Sequence, residues 1–257
     1  MALRSDPDAL RAALLAWYAG HARDLPWRRT NDPYAILVSE VMLQQTQVAR
    51  VVERHEAWLE RWPTAAALAA ARRDEVLRAW VGLGYNRRAL ALHEACTIVA
   101  ADGWPADLQT LPGVGPYTAA ALGAFAFGRD VVALDTNARR VFARLGTALA
   151  PARGQGAVFN QATIELGATV CTARAPRCDR CPLRDECDGP GEPAVATGPP
   201  RERFEDTNRF VRGRVVAALA CGAPLPDVEP RRLATALSGL ERDGLVVRGD
   251  SGPQLAS

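Results

Sequence analysis

With 257 residues, 48% of them hydrophobic and 23% charged, the chain has material for one large globular domain, or for one domain with a small appendage. No apolar run approaches the roughly 20 residues that a membrane span needs. A net charge of +2, from 31 basic and 29 acidic residues, excludes a polycationic binder, so any anionic partner must be met by local arginine placement.

In chain order, MALRSDPDALRAALLAWYAG has the spacing of an amphipathic helix. It lacks the basic segment and small-residue cleavage site of a secretory leader, which points to a cytoplasmic protein. Residues 38–62 read as one long helix with apolar positions at Val41, Val48, Val51 and Val52, and DEVLRAWVGLG (74–84) as another that is ended by glycine. Further helices are predicted over 88–101, 117–127, 137–145 and 157–170, and strand signals are scarce before residue 200. The body is therefore expected to be all-α. Trp17, Trp58, Trp62, Trp80 and Trp104 read as packing residues, and His21, His55 and His93 as structural or surface residues.

Within this body, LPGVGPYTAA (111–120) has the glycines of a phosphate-gripping loop. A P-loop would need a strand before them and a lysine after them, and neither is present. All 31 basic residues are arginine, so no lysine imine can form anywhere in the chain. The stretch reads as helix, tight turn, helix, with Gly113 and Gly115 allowing unusual φ values and close backbone approach. Amide N–H groups at the start of the second helix favour an anion, and the candidate in a helical protein is a nucleic-acid backbone; a plain αα turn is the alternative.

Two carboxylates stand out. Asp135 follows the apolar run VVAL and directly precedes the helix TNARRVFARL, where it can cap that helix as well as act chemically. Glu40 lies in ILVSEVML, surroundings that should raise a carboxyl's pKa and leave it protonated at neutral pH, unless it is a solvent-facing helix residue.

Four of the six cysteines crowd into CTARAPRCDRCPLRDEC: Cys171, Cys178, Cys181 and Cys187, spaced C-x6-C-x2-C-x5-C. Disulfides do not suit a cytoplasmic chain, and four close thiolates fit tetrahedral zinc or a cubane iron–sulfur cluster. Zinc ribbons separate two close pairs by a longer span, whereas here one continuous loop carries all four, which favours [4Fe-4S]. Arg174, Arg177, Arg180 and Arg184 stud the loop and suggest a basic lobe that meets phosphate. Cys96 and Cys221 read as ordinary buried thiols. Beyond Cys187, the Gly- and Pro-rich DGPGEPAVATGPPRER reads as a linker. Two helical stretches (208–220 and 230–243) and LVVRGDSGPQLAS, a possible hairpin, then suggest a small winged-helix-like domain, or a helical cap.

A helix-hairpin-helix followed by Asp135 in VVALDTNARRV and by this cysteine loop resembles the base-excision DNA glycosylases of the endonuclease III superfamily. LPWRRTNDPY, SEVMLQQTQV and GLGYN resemble its MutY adenine glycosylase branch. The likeness covers roughly residues 20–190. It implies a domain over 1–190 of two helical lobes with a [4Fe-4S] loop at 171–187, a linker at 191–203 and a small C-terminal domain at 204–257. It further implies a monomeric enzyme that binds double-stranded DNA carrying a mismatch or lesion and has no membrane association.

Hydrolysis of an N-glycosidic bond needs help for the leaving base and stabilisation of an oxocarbenium ion, the two tasks shared by a carboxylate pair in glycosidases. By the resemblance, Glu40 would protonate N7 of a flipped adenine and Asp135 would stabilise the sugar cation. Tyr117 and Asn137 would support that carboxylate, and Arg28 would line the base pocket. Gln45 and Tyr85 would enter the base stack, while Gly113 and Gly115 would hold backbone phosphate. Tyr117 occupies the position where lyase relatives carry lysine, which implies a monofunctional enzyme. Departures are Asn86, where a second tyrosine is usual, Thr136 after the Asp, and a tail too short for the β-rich domain that reads 8-oxoguanine. Two other readings remain: a thymine or uracil glycosylase acting opposite G, which would have no N7 for Glu40 to protonate, and a non-catalytic DNA-binding regulator.

Overall fold

The computed structural model describes residues 6–189, 202–249 and 252–257. Most of the predicted 191–203 linker lies outside them. Eleven α-helices and one two-stranded hairpin are present among the described residues, and no helix there is long and apolar enough to cross a membrane. The chain forms two compact units, one of Met1–Ile36, Asp107–Gln109 and Val114–Thr197, the other of Leu37–Ala106, Thr110–Gly113 and Gly198–Ser257.

The first unit is built on α1 (Pro7–His21), α7 (Pro116–Phe125), α8 (Thr136–Leu145) and α9 (Gly156–Thr169), with α9 packed against the other three. Proline at the first turn and the Asp6 carboxylate, which accepts the Asp8 N–H at 3.0 Å, start α1. Its Leu10, Leu14 and Tyr18 recur at the i, i+4 spacing of one helical face and bury against Val141, Phe142 and Leu145 of α8 and Phe159 and Leu166 of α9. The Phe142 and Phe159 rings stack at 6.5 Å. Gly167 permits the close approach of α8 to α9, since a Cβ there would meet the Asn137 Cβ at 2.6 Å. Gly146 ends α8 in the left-handed region at φ 73°.

In the second unit lie the latter part of α2 (Pro33–Leu43), then α3 (Val48–Arg61), α4 (Ala65–Ala69), α5 (Arg73–Trp80) and α6 (Arg87–Asp102). The single helix expected over 38–62 is thus two. The chain breaks at Gln44–Gln47, where Gln45 takes a left-handed φ of 56°, while apolar periodicity runs on through the turn. Trp58, Trp62 and Trp80 pack edge to face, 4.7 Å and 5.5 Å from centroid to centroid.

The tail follows the expected winged-helix-like order: α10 (Asn208–Cys221), α11 (Pro230–Arg242), then β1 (Val246–Gly249) paired antiparallel with β2 (Gly252–Leu255) in register Val246↔Leu255. It groups with the second unit, where α10 packs on α5, α11 and β2. Cys96 is a buried thiol, pushed up to about 12 by that burial. Cys221, by contrast, is exposed, because it closes α10 at the surface instead of facing its core.

Candidate active site

In the first unit Asp135 is the N-cap of α8. Its Oδ1 accepts the Ala138 N–H at 2.6 Å and its Oδ2 accepts from Asn137 Nδ2 at 2.8 Å. The local reason is its position, since an Asp directly before a helix can satisfy an otherwise orphaned N–H. Asn137 is itself held. Its Oδ1 accepts from Arg140 Nη2 at 2.7 Å, and Arg140 also donates to the Gly167 carbonyl at 2.6 Å and, through Nε, to the Cys171 carbonyl at 2.8 Å. A hydrogen-bond chain therefore runs from the Asp135 carboxylate to the backbone of the first cysteine in the loop. Tyr117 stands half-buried at the second position of α7.

Gly115 caps α7 with φ −87° and ψ −179°, ordinary extended backbone that any residue adopts. Only Gly113 of the expected pair needs glycine's freedom, at φ 76° with Ala91 Cβ 3.0 Å from where its own Cβ would be. Its carbonyl accepts from Gln44 Nε2 at 3.3 Å.

Arg28 lies beside a carboxylate that the sequence reading missed. Glu165, fully buried on α9, takes Arg23 Nε at 2.6 Å and Arg28 Nη2 at 2.7 Å, and Arg28 Nη1 donates to the Arg23 carbonyl at 3.0 Å. Burial pushes the Glu165 carboxyl up, but the two guanidiniums outweigh it and hold it below the usual carboxylate range. The Arg28 guanidinium also lies 5.6 Å from the Tyr18 ring centroid. The only local hint was an acid inside an apolar helix, QATIELGA.

The four loop cysteines line one cavity of about 220 Å³ together with Arg144 and Arg184. Cys171, Cys181 and Cys187 also lie against the apolar core of the first unit. Arg144 Nη1 is 3.4 Å from Cys171 Sγ and donates to the Thr172 carbonyl at 2.7 Å. Burial, and behind it repulsion from the other three cysteines, pushes the Cys181 thiol up. Four soft sulfur donors in a partly apolar cavity, with guanidiniums to offset thiolate charge, fit an iron–sulfur cluster. Arg174, Arg177, Arg180 and Arg184 are all exposed on this loop.

In the second unit Glu40 is 6% exposed on α2, in a helix where Ile36, Leu37, Val38, Val41 and Met42 are all buried. Gln45 and Tyr85 are the two non-glycine residues with positive φ among the described residues, at 56° and 46°. Holding ordinary residues in that region costs of order 1–3 kcal/mol and points to function. Both strained loops hang on Arg88, a second residue the sequence reading missed. Its Nη1 donates to the carbonyls of Val41 (2.7 Å), Met42 (3.0 Å) and Gln44 (2.5 Å), and its Nη2 to those of Leu83 (3.0 Å) and Gly84 (2.9 Å). Burial lowers the Arg88 pKa to about 10, which leaves it charged at neutral pH. The expected residues thus form two groups: Asp135 and Asn137 in direct contact in the first unit, and Gln45 and Tyr85 tied through Arg88 in the second, which also contains Glu40.

Comparison with known proteins places these features. Residues 38–155 match the HhH-GPD superfamily of base excision DNA repair proteins, and residues 171–187 match the iron–sulfur binding domain of endonuclease III. The loop therefore belongs to an iron–sulfur binding domain, and the chain carries a [4Fe-4S] cluster. An adenine DNA glycosylase of Mycolicibacterium smegmatis is 45% identical over 91% of this chain and 91% of its own length. One of Mycobacterium tuberculosis is 47% identical over 80% of this chain and 77% of its own. Among solved structures, a thermostable thymine-DNA glycosylase superposes with a TM-score of 0.65 at 26% identity, over 70% of this chain and 94% of that one. The chain belongs to the helix-hairpin-helix base-excision DNA glycosylases, in the adenine DNA glycosylase family.

Proposed function

We propose that the protein is a monofunctional adenine DNA glycosylase that hydrolyses the N-glycosidic bond of adenine mispaired with G or 8-oxoguanine. It acts as a monomer on duplex DNA, in the cytoplasm at the nucleoid, without membrane association. The observation that carries the reading is the Asp135 carboxylate, capped and fixed by two donors at 2.6 Å and 2.8 Å, in a chain without lysine. A fixed anion can stabilise a sugar cation, and without lysine the sugar is released by water and not through an imine.

Glu40 supplies the proton. Burial favours the neutral form of a carboxyl, and a neutral acid can donate to N7 of the departing adenine, so that the base leaves uncharged. Asn137 orients Asp135, and Tyr117 lies beside the reacting sugar. Arg28 lines the base pocket from its bond to Glu165. Extruding the base costs a few kcal/mol, less at a mispair. Gln45 and Tyr85 fill the stack it leaves, and their strained φ values presuppose the rigid support that Arg88 gives. Gly113 and Gly115 bring backbone N–H groups to a phosphate. Cys171, Cys178, Cys181 and Cys187 would hold the cluster, which would stiffen the arginine-studded loop against DNA.

Excision of thymine or uracil opposite G is the second reading, supported by the fold likeness to the thymine-DNA glycosylase. It leaves Glu40 without an N7 to protonate. The mode of cleavage is tested by incubating an A·G duplex with the protein and resolving strands with and without hot alkali, with borohydride added in a parallel sample. Strand breaks only after alkali, with no borohydride-trapped adduct, are expected. Breaks without alkali would overturn the monofunctional assignment.

A further inference from the structure

The two left-handed turns are far apart in sequence but are joined in space by one side chain. Gln45 sits in the turn between α2 and α3 and Tyr85 in the turn between α5 and α6, and both side chains line the same groove of the second unit. Arg88, in the first turn of α6, reaches both. Its Nη1 donates to the carbonyl of Gln44, next to Gln45, and its Nη2 to that of Gly84, next to Tyr85, as well as to that of Leu83. The Thr46 hydroxyl closes the ring, accepting from Arg88 Nη2 at 3.2 Å and donating to the Leu83 carbonyl at 3.2 Å.

The joint is anchored on α2. Val41 and Met42 belong to its last turn, whose carbonyls have no partner within the helix, and both accept from Arg88 Nη1. On its other side the guanidinium lies 5.3 Å from the centroid of the buried Trp80 ring, whose Nε1 donates to the Gly84 carbonyl at 3.0 Å. Neither turn can leave its left-handed conformation without stripping bonds from the group that holds the other, and shared bonding of this kind makes the two turns cooperative. Five carbonyls and a hydroxyl need the flat, five-donor fork of arginine; a lysine ammonium offers three donors from a single point.

We propose that Arg88 is a positioning residue that makes the Gln45 and Tyr85 turns a single two-pronged wedge, locked before DNA binds, so that both side chains enter the base stack together. Arg88 touches neither the base nor the sugar. It acts by keeping both prongs raised in the free protein, so that binding energy is not spent on ordering them. The entry of the prongs into the stack rests on the adenine-glycosylase reading; the coupling of the two turns does not.

The test pairs two measurements on the full-length protein. Single-turnover base release by Arg88→Lys is compared with wild type on an A·G duplex, on the same duplex with tetrahydrofuran residues flanking the adenine so that it is already unstacked, and on a duplex whose purine carries its own good leaving group. On the ordinary duplex the variant is expected to lose about 10²-fold in rate. The unstacked adenine should recover about tenfold of that loss and the good leaving group none of it. Recovery by the leaving group alone would overturn the proposal, since Arg88 would then serve Glu40 on α2, and an equal loss on all three duplexes would make it a general structural residue. Hydrogen exchange in the free protein needs no substrate. The Thr46 and Leu83 amides, each bonded inside its own turn at 3.2 Å and 3.1 Å, are expected to exchange about tenfold faster in the variant, both together, with α8 and α9 unchanged. Acceleration of only one of the two, or of neither, would overturn the coupling. Thr46→Val keeps the guanidinium and removes the bridging hydroxyl; it is expected to give the same pattern at about fivefold, and it keeps the test decisive if Arg88→Lys does not fold. Coupled exchange in a wild type that releases no adenine would sink the adenine reading and leave the joint standing, whereas adenine release with uncoupled exchange would do the reverse.

Discussion

Asp135 caps a helix with both carboxylate oxygens met by donors, one of them anchored in turn by Arg140, whereas Glu40 is buried on a helix beside Ser39 and among the buried apolar residues Ile36, Leu37, Val38, Val41 and Met42. The same functional group is set up as a fixed acceptor in one unit and as a buried carboxyl in the other. On the proposed mechanism, environment and not residue type would divide the work of cation stabiliser and proton donor. Glu165 completes the lesson: it is more deeply buried than Glu40, but two arginines keep it ionised.

The contrast breaks hardest at Asp135. Asp135→Asn is expected to lower single-turnover base release by about 10³-fold. Thermal stability should change by no more than about 0.5 kcal/mol, since Asn caps a helix as well as Asp. Loss of folding in place of rate, seen by calorimetry, would make Asp135 a structural cap. Next in size is Glu165→Gln, expected to cost about 3 kcal/mol of stability by leaving two guanidiniums against a neutral partner.

Its sign with pH follows from the lowered carboxyl. The ion-pair stability is complete above the unfolded value of about 4.3 and is lost as pH falls through the lower folded value. Melting curves across acid pH should show that fall in wild type and a flatter profile in the variant.

Glu40→Gln should slow excision about 10²-fold with duplex affinity retained. A purine carrying its own good leaving group should recover most of that loss, and failure to recover it would remove the proton-donor role. The smallest effect is expected at Asn137→Ala, about tenfold in rate, from a single lost bond to Asp135. The Asp135→Asn, Asn137→Ala double variant should be no slower than Asp135→Asn alone.

What was legible in the chain was local. The cysteine loop spans 17 residues of one family match, and a cap such as Asp135 touches only residues two and three positions on. What was not legible joins distant segments. Glu165 meets Arg28 and Arg23 across 137 and 142 positions, and Arg209 meets Tyr85 across 124. Arg88 reads locally as one more helix-surface arginine, and only the fold brings five carbonyls of the strained loops and α2 to its Nη atoms. The break at Gln45 escaped the sequence reading because the apolar positions Val41, Val48, Val51 and Val52 keep a helical spacing across it, although Gln45 and Gln47 between them are exposed.

The most direct test of the central claim is single-turnover base release on duplexes with A opposite 8-oxoguanine, A opposite G, T opposite G and U opposite G, with abasic sites revealed by alkali. Release of adenine alone, lost in Asp135→Asn and Glu40→Gln, is the expected result. Release of thymine or uracil with adenine left in place would contradict the account and mean that Glu40 serves a purpose other than protonating a purine.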